Sequence, residues 1–231
     1  MIADTAVLLV CAGNAARMGG IQKILHPLGT STVLLHGLRT FCLCESVSEL
    51  VVVCRAQDRA EFEQVLAQEA FPVPVRITVG GSTRQESVQN GFHAVQTDCA
   101  YIAVHDGARP LVRAADIERV IADARQYGAA TLGAPVKDTI KVVREGMICE
   151  TPDRATLWLT QTPQVFKRDI YSAGLAAAQA AGKDYTDDCQ LVEAIGVRVA
   201  MTRGDYSNIK LTTPEDFAVA GALLDAQQNE S

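Results

Sequence analysis

Short apolar runs that take turns with amphipathic segments constrain the fold of this chain more than any other feature. Ala6 to Cys11, Leu50 to Cys54, Val75 to Val79, Tyr101 to Val104 and Ala130 to Pro135 are strand-like. Between them, Thr32 to Leu43, Arg59 to Glu69, Glu86 to Val95 and Asp116 to Tyr127 carry apolar residues three and four apart, as helices do. This alternation predicts an α/β fold, a mostly parallel open sheet with crossover helices on both faces. The aliphatic run Ala6 to Cys11 fits a strand covered on both sides. At 231 residues the chain is long enough for one such domain with a well-covered core, so residues 1–231 are read as a single domain.

After Pro135 the rhythm changes. Thr139 to Thr151 reads as two short strands meeting near Glu145 and Gly146, a hairpin arm over about residues 137–155 that projects from the domain. Such an arm needs a partner to bury it, which points to a homodimer formed through it. The chain returns through LWLTQTPQVF, a helix from Asp169 to Ala181, another around Asp187 to Ile195 and a strand from Val197 to Met201. A last helix opens with Thr213 as cap, Pro214 at its first position and Asp216 three residues after the cap.

Composition excludes several classes. Apolar stretches fall far short of the about 18 residues a bilayer span needs. The first residues lack a basic segment and read as a first strand, so a cytoplasmic, membrane-free protein is expected. A net charge of −6 argues against general nucleic-acid binding, which rests on clustered cations. The seven cysteines form no C-x-x-C pair and the four histidines no H-E-x-x-H, so the cysteines are read as reduced core residues.

Against that acidic background, local cations stand out. The first strand runs into CAGNAARMGGIQK, where Gly13, Gly19 and Gly20 let backbone amides approach an anion and Arg17 and Lys23 add charge. The loop is neither G-x-G-x-x-G nor a P-loop, and an ordinary strand-to-helix turn fits the same residues. A second glycine pair, Gly80-Gly81, feeds a helix start with two overlapping capping registers, Ser82 with Gln85 and Thr83 with Glu86. Unpaired amides at such a start welcome anions and ring acceptors. Four further clusters sit at strand ends or loops: His105 to Pro110 with Asp106 and Arg109, Pro135 to Lys141 with Thr139, Asp153-Arg154, and Asn208 to Pro214 with Lys210. An acid at the end of a central strand suits magnesium or ribose.

The ordered motifs GG..R..SV.NG, HDGARP, PVKDTIK, DRATLW.TQTPQVF, TDDCQLVE and NIKLTTPEDF, from Val7 to Ala222, resemble the 2-C-methyl-D-erythritol 4-phosphate cytidylyltransferases of the non-mevalonate isoprenoid pathway. The resemblance implies a glycosyltransferase-A-like nucleotidyltransferase fold, CTP as co-substrate, Mg2+ or another divalent cation, and release of pyrophosphate. It implies catalytic cations at Arg17, Lys23, Arg154 and Lys210. CTP would lie along Ala12, Gly13, Gly81, Ser82 and Ser87. The sugar phosphate would meet Asp106, Arg109, Thr139, Arg154, Thr162, Thr186 and Lys210, with Asp106 also the metal ligand and Arg154 reaching across from the partner's arm.

In the first loop, Cys11 and Ala15 stand where the family usually has alanine and glycine, and the segment before Lys23 is shorter. An enzyme for another alditol phosphate, such as ribitol 5-phosphate, would share the fold and most CTP motifs; HDGARP with TDDCQLVE favours methylerythritol phosphate. Arg55, ending the second strand, is where an NADP enzyme would hold a 2′-phosphate, but the missing G-x-G-x-x-G argues against that class. A non-catalytic nucleotide sensor is disfavoured by Arg17, Lys23 and Lys210 together.

Overall fold

The computed structural model describes residues 2–13 and 23–229. In chain order the elements are β1 (Thr5–Val10), β2 (Pro27–Leu28), β3 (Ser31–Thr32), α1 (Val33–Cys42), β4 (Val47–Cys54), α2 (Arg59–Leu66), β5 (Val75–Val79), α3 (Arg84–Ala94), β6 (Tyr101–Asp106), α4 (Ala114–Tyr127) and β7 (Ala129–Pro135). There follow β8 (Val142–Arg144), β9 (Met147–Glu150), β10 (Trp158–Lys167), α5 (Arg168–Ala181), α6 (Asp188–Glu193), β11 (Ala200–Arg203) and α7 (Pro214–Asn229).

A seven-stranded sheet runs in the order β11-β7-β10-β6-β1-β4-β5. Every pairing in it is parallel except those of β10, which is antiparallel to both β6 and β7. Alternate residues of β1 bury into opposite cores. Val7 and Leu9 pack with Leu38 and Phe41 of α1, Phe62 of α2 and Ile117 and Ile121 of α4. Ala6 and Leu8 pack with Val88 of α3, Tyr171 and Leu175 of α5 and Leu191 of α6. Both faces of β1 are thus dry, the physical reason its sequence is a continuous apolar run. From β1 the chain winds one way to β4 and β5, then returns to lay β6 on the other side. This reversal makes the carboxyl end of β1 a topological switch point, where open α/β sheets keep their ligands.

The hairpin forms as expected. Glu145 and Gly146 both take positive φ, 51° and 79°, and join β8 to β9 as a two-residue turn whose twist matches the strands. Its side chains are left open, with Val143 54%, Met147 73% and Ile148 62% exposed.

Several expectations need correction. The final strand is Ala200–Arg203, displaced from Val197 to Met201, because Val197 closes the turn after α6 by donating its N–H to Val192 O. All seven cysteines are free, but only Cys11, Cys44, Cys54, Cys99 and Cys189 are buried; Cys42 is half-buried and Cys149 is exposed on the hairpin.

Helix α3 lies close against the sheet because Gly91 leaves room: a Cβ there would stand 2.7 Å from Val53 Cγ2. Val53 is fully buried and β-branched, so it has nowhere to turn. Gly91→Ala should therefore destabilise the protein by about 1 kcal/mol, overpacking outweighing the gain in helix propensity. A lowered urea midpoint checks this, and a raised one would contradict it.

Candidate active site

The carboxyl ends of β1, β4, β5 and β6 surround a cavity of about 540 Å3. It brings together, from segments far apart in sequence, Ala12, Gly13, Lys23, Gly81, Ser82, Ser87, Asp106 and Lys210. Arg17 and Ala15 lie outside the described residues.

One wall is the glycine turn into α3. Of the two capping registers, Thr83 is the cap: its hydroxyl accepts from Glu86 N at 3.1 Å. The Glu86 carboxylate reaches one residue further back, accepting from Ser82 N at 2.7 Å and Ser82 Oγ at 2.6 Å. Ser87 Oγ donates to Thr83 O at 2.8 Å and accepts from Gly81 N at 3.1 Å. The turn holds its own shape before any ligand arrives.

Next to this turn stands an ion cluster around Asp106. Lys210 Nζ is 2.9 Å from its carboxylate, Arg109 Nε 3.6 Å and Arg84 Nη2 3.9 Å. Burial alone would raise the Asp106 pKa, but attraction by Lys210, Arg84 and Arg109 outweighs it and lowers the pKa to about 2. Arg84 also pairs with Asp188 at 2.6 Å. Burial would lower its pKa, and the two carboxylates more than reverse that. Arg84 is the arginine of the motif GG..R..SV.NG, but the sequence assigned it no role. Its signal was available, since it opens a helix directly after the glycine pair that faces the cleft.

The loops that carry these charges are fastened together. Leu211 N donates to Ala108 O at 2.8 Å and Arg109 Nη1 to Asn208 O at 2.7 Å, which sets Lys210 over Asp106. Lys23 Nζ donates to Leu211 O at 3.0 Å. Thr162 lies behind the cluster and is 5% exposed; its hydroxyl accepts from Asp106 N at 3.0 Å. Asn208 Nδ2 donates to Thr162 O at 2.9 Å.

Five expected residues do not line this cavity: Arg109 and Thr162 stand behind it in and under the ion cluster, and Thr139, Arg154 and Thr186 lie away from it. Thr139 and Thr186 are exposed, on the loops before β8 and before α6. Arg154 is exposed at the root of the hairpin and donates from Nη1 to Lys137 O at 3.0 Å. Arg55 lines the cavity but is held by Asp58, with Nε 2.6 Å from Oδ2.

A cation-rich cleft between the end of β1 and the glycine turn into α3, at the switch point of a parallel sheet, defines the class: an α/β protein built to bind a nucleotide through its phosphates. The comparisons are more specific. The family model for 2-C-methyl-D-erythritol 4-phosphate cytidylyltransferase matches residues 5–226, and the chain belongs to that family. It is 43% identical over 225 residues to the enzyme of that name from Syntrophotalea carbinolica, covering 95% of each chain. It is 39% identical over 223 residues to the chloroplastic enzyme of Oryza sativa, covering 96% of this chain and 74% of that one. Among solved structures, the 4-diphosphocytidyl-2C-methyl-D-erythritol synthase of Anaerococcus prevotii matches with a TM-score of 0.85 at 29% identity, covering 96% of both chains.

Gly80 lies where the segment after β1 meets the turn into α3. A Cβ there would lie 2.6 Å from Ser87 Oγ and 2.8 Å from Ala12 Cβ, so Gly80→Ala has to part the loop after β1 from the loop before α3. Calorimetric titration with CTP should show binding weakened at least about tenfold, since misplaced polar contacts are costly. Unchanged affinity would contradict this placement.

Proposed function

We propose that the cleft transfers a cytidylyl group from CTP to 2-C-methyl-D-erythritol 4-phosphate, giving 4-diphosphocytidyl-2-C-methyl-D-erythritol and pyrophosphate. The observation that carries this reading is the shared cavity: Ala12, Gly13, the Gly80-Gly81 turn and Lys23 face the same space as Asp106 and Lys210. The triphosphate lies along Ala12, Gly13 and Lys23, with Arg17 assigned to the same loop, and the cytosine meets Gly81, Ser82 and Ser87. The sugar phosphate occupies the Asp106, Arg109 and Lys210 side.

An oxygen of the sugar phosphate attacks the α-phosphorus of CTP, the bond to the β-phosphate breaks, and pyrophosphate leaves. A phosphate monoester has its second pKa near about 6, so the nucleophile is already charged and needs no general base. The barrier is the approach of two anions and the charge that grows on the α-phosphoryl and leaving oxygens. Fixed cations in a half-enclosed cleft lower it by positioning and electrostatic stabilisation. Lys23 and Arg17 serve the donor phosphates; Lys210 serves the acceptor.

Among the described residues no group of three or more His, Cys, Asp or Glu side chains is spaced to hold a metal. A lone hard carboxylate facing the cavity nonetheless fits magnesium, which is commonly held by one or two carboxylates plus substrate phosphates. Asp106 would hold it, and the ion would supply further charge neutralisation at the phosphates.

The exposed apolar side chains of Val143, Met147 and Ile148 support a homodimer in which a second copy covers the arm. Arg154, Thr139 and Thr186 are assigned to the sugar phosphate, with Arg154 acting across that interface. One nucleotidyltransferase domain bearing the arm, acting in the cytosol, completes the reading; no helix among the described residues is long and apolar enough to cross a membrane.

The test is pyrophosphate release with Mg2+ and CTP, comparing methylerythritol 4-phosphate, ribitol 5-phosphate and no acceptor. Release with methylerythritol phosphate alone is expected, and release only with ribitol phosphate would overturn the acceptor assignment. Lys23→Ala should lower turnover by about 10²–10³-fold, the usual loss for an anion-stabilising donor. Near-normal turnover would reject its role.

A further inference from the structure

His105, at the penultimate position of β6, is fully buried and packs edge-on against Phe41 with ring centroids 5.0 Å apart. A buried imidazole must satisfy two nitrogens. Nε2 lies 3.0 Å from Arg109 O, which can only accept, so Nε2 carries the proton. Nδ1 is then bare and accepts from the Thr162 hydroxyl at 3.0 Å. That hydroxyl in turn accepts from Asp106 N at 3.0 Å. The hydrogen bonds therefore run one way, from the Asp106 amide through Thr162 and the ring to the Arg109 carbonyl.

What the ring joins matters. Asp106 and Arg109 close a tight turn, with Arg109 N donating to Asp106 O at 2.9 Å, and both put charged groups into the ion cluster. Thr162 comes from the other side, on β10. The β10 pairing with β7 shifts register between Thr160 and Gln164, two extra residues in β10 that re-aim Thr162 toward the end of β6. A histidine that only filled the core would have no need to fasten both ends of this turn to a neighbouring strand.

We propose that His105 is a positioning residue for the acceptor half of the cleft: its imidazole clasps the Arg109 carbonyl and the Thr162 hydroxyl and so fixes where the Asp106 carboxylate and Arg109 guanidinium stand. The proposal rests on the acceptor reading given above. It also gives Thr162 a different task from contact with the sugar phosphate, because its hydroxyl is used in both directions within the fold.

The test compares Thr162→Val, which keeps the shape and loses the hydroxyl, with Thr162→Ser, which keeps the hydroxyl, and with His105→Phe, which keeps a ring against Phe41. Thr162→Val and His105→Phe should each raise the KM for methylerythritol 4-phosphate by about 10- to 100-fold and leave the KM for CTP within about twofold. Thr162→Ser should restore the wild-type constant, and the double variant should be no worse than the worse single one, as coupled residues behave. Nitrogen-15 spectra of histidine-labelled protein should show a neutral Nε2–H ring for His105, altered in Thr162→Val. This signal and the Val–Ser pair decide the matter even if His105→Phe does not fold.

An unchanged acceptor KM in Thr162→Val, an equal rise for both substrates, additive losses in the double variant or an Nδ1–H ring would overturn the proposal. Pyrophosphate release by the wild type with methylerythritol phosphate is the control. Its failure overturns the reading of the cleft, whereas a failure confined to the variants overturns only the role of His105.

Discussion

The cleft depends on one buried carboxylate. Asp106 side-chain exposure is 13%, and an ionised group so placed is stable only because three cations answer it. Each cation comes from a different stretch of chain: Arg84 from the start of α3, Arg109 from the loop after β6, and Lys210 from the segment before α7. Charge attraction thus adds to the packing and hydrogen bonds that already hold these loops together at the rim. With Asp188 answering Arg84, three cations face two carboxylates, and Lys23 adds a further positive charge to the cavity. The cleft is accordingly suited to anions although the chain as a whole carries −6.

Behind the charges, neutral hydrogen bonds hold the geometry. Gln161 donates to Asp205 O at 2.8 Å and Asn208 to Thr162 O at 2.9 Å, tying β10 to the loop that carries Lys210. Under the same loop, Leu211 packs with Leu28, Val33, Leu111 and Ala220 in a small apolar cluster separate from the two main cores. Lys210 is therefore mounted on a segment anchored by packing below and by hydrogen bonds at its side. Its side chain stays 43% exposed, placed to exchange a carboxylate for a ligand phosphate.

Much of this was legible in the sequence where periodicity speaks. The parallel strands and their crossover helices announce themselves by apolar run and three-to-four spacing, and Glu145-Gly146 marks the hairpin turn. The direction of β10 was not legible, because a strand buried on both faces reads the same whichever way it runs. Nor was its bulge, which depends on pairing with β7. The site residues on glycine turns were found through their composition. Arg84 stood in one of the ordered motifs but without a role, because a cation in a helix's first turn reads as solvated until the fold sets two carboxylates beside it. The roles of His105 and Thr162 lie in hydrogen-bond direction, which no spacing encodes.

The measurement that bears most directly on this account is the turnover of Asp106→Asn at saturating CTP and methylerythritol 4-phosphate. The substitution keeps shape and removes charge, and the fold should survive it because Arg84 retains Asp188, Arg109 retains Asn208 O and Lys210 is open to water. The account predicts turnover at least about 100-fold below that of the unsubstituted protein, the scale on which preorganised electrostatics act. A folded Asp106→Asn protein that turns over within a few-fold of the original would contradict the claim that this carboxylate organises the site.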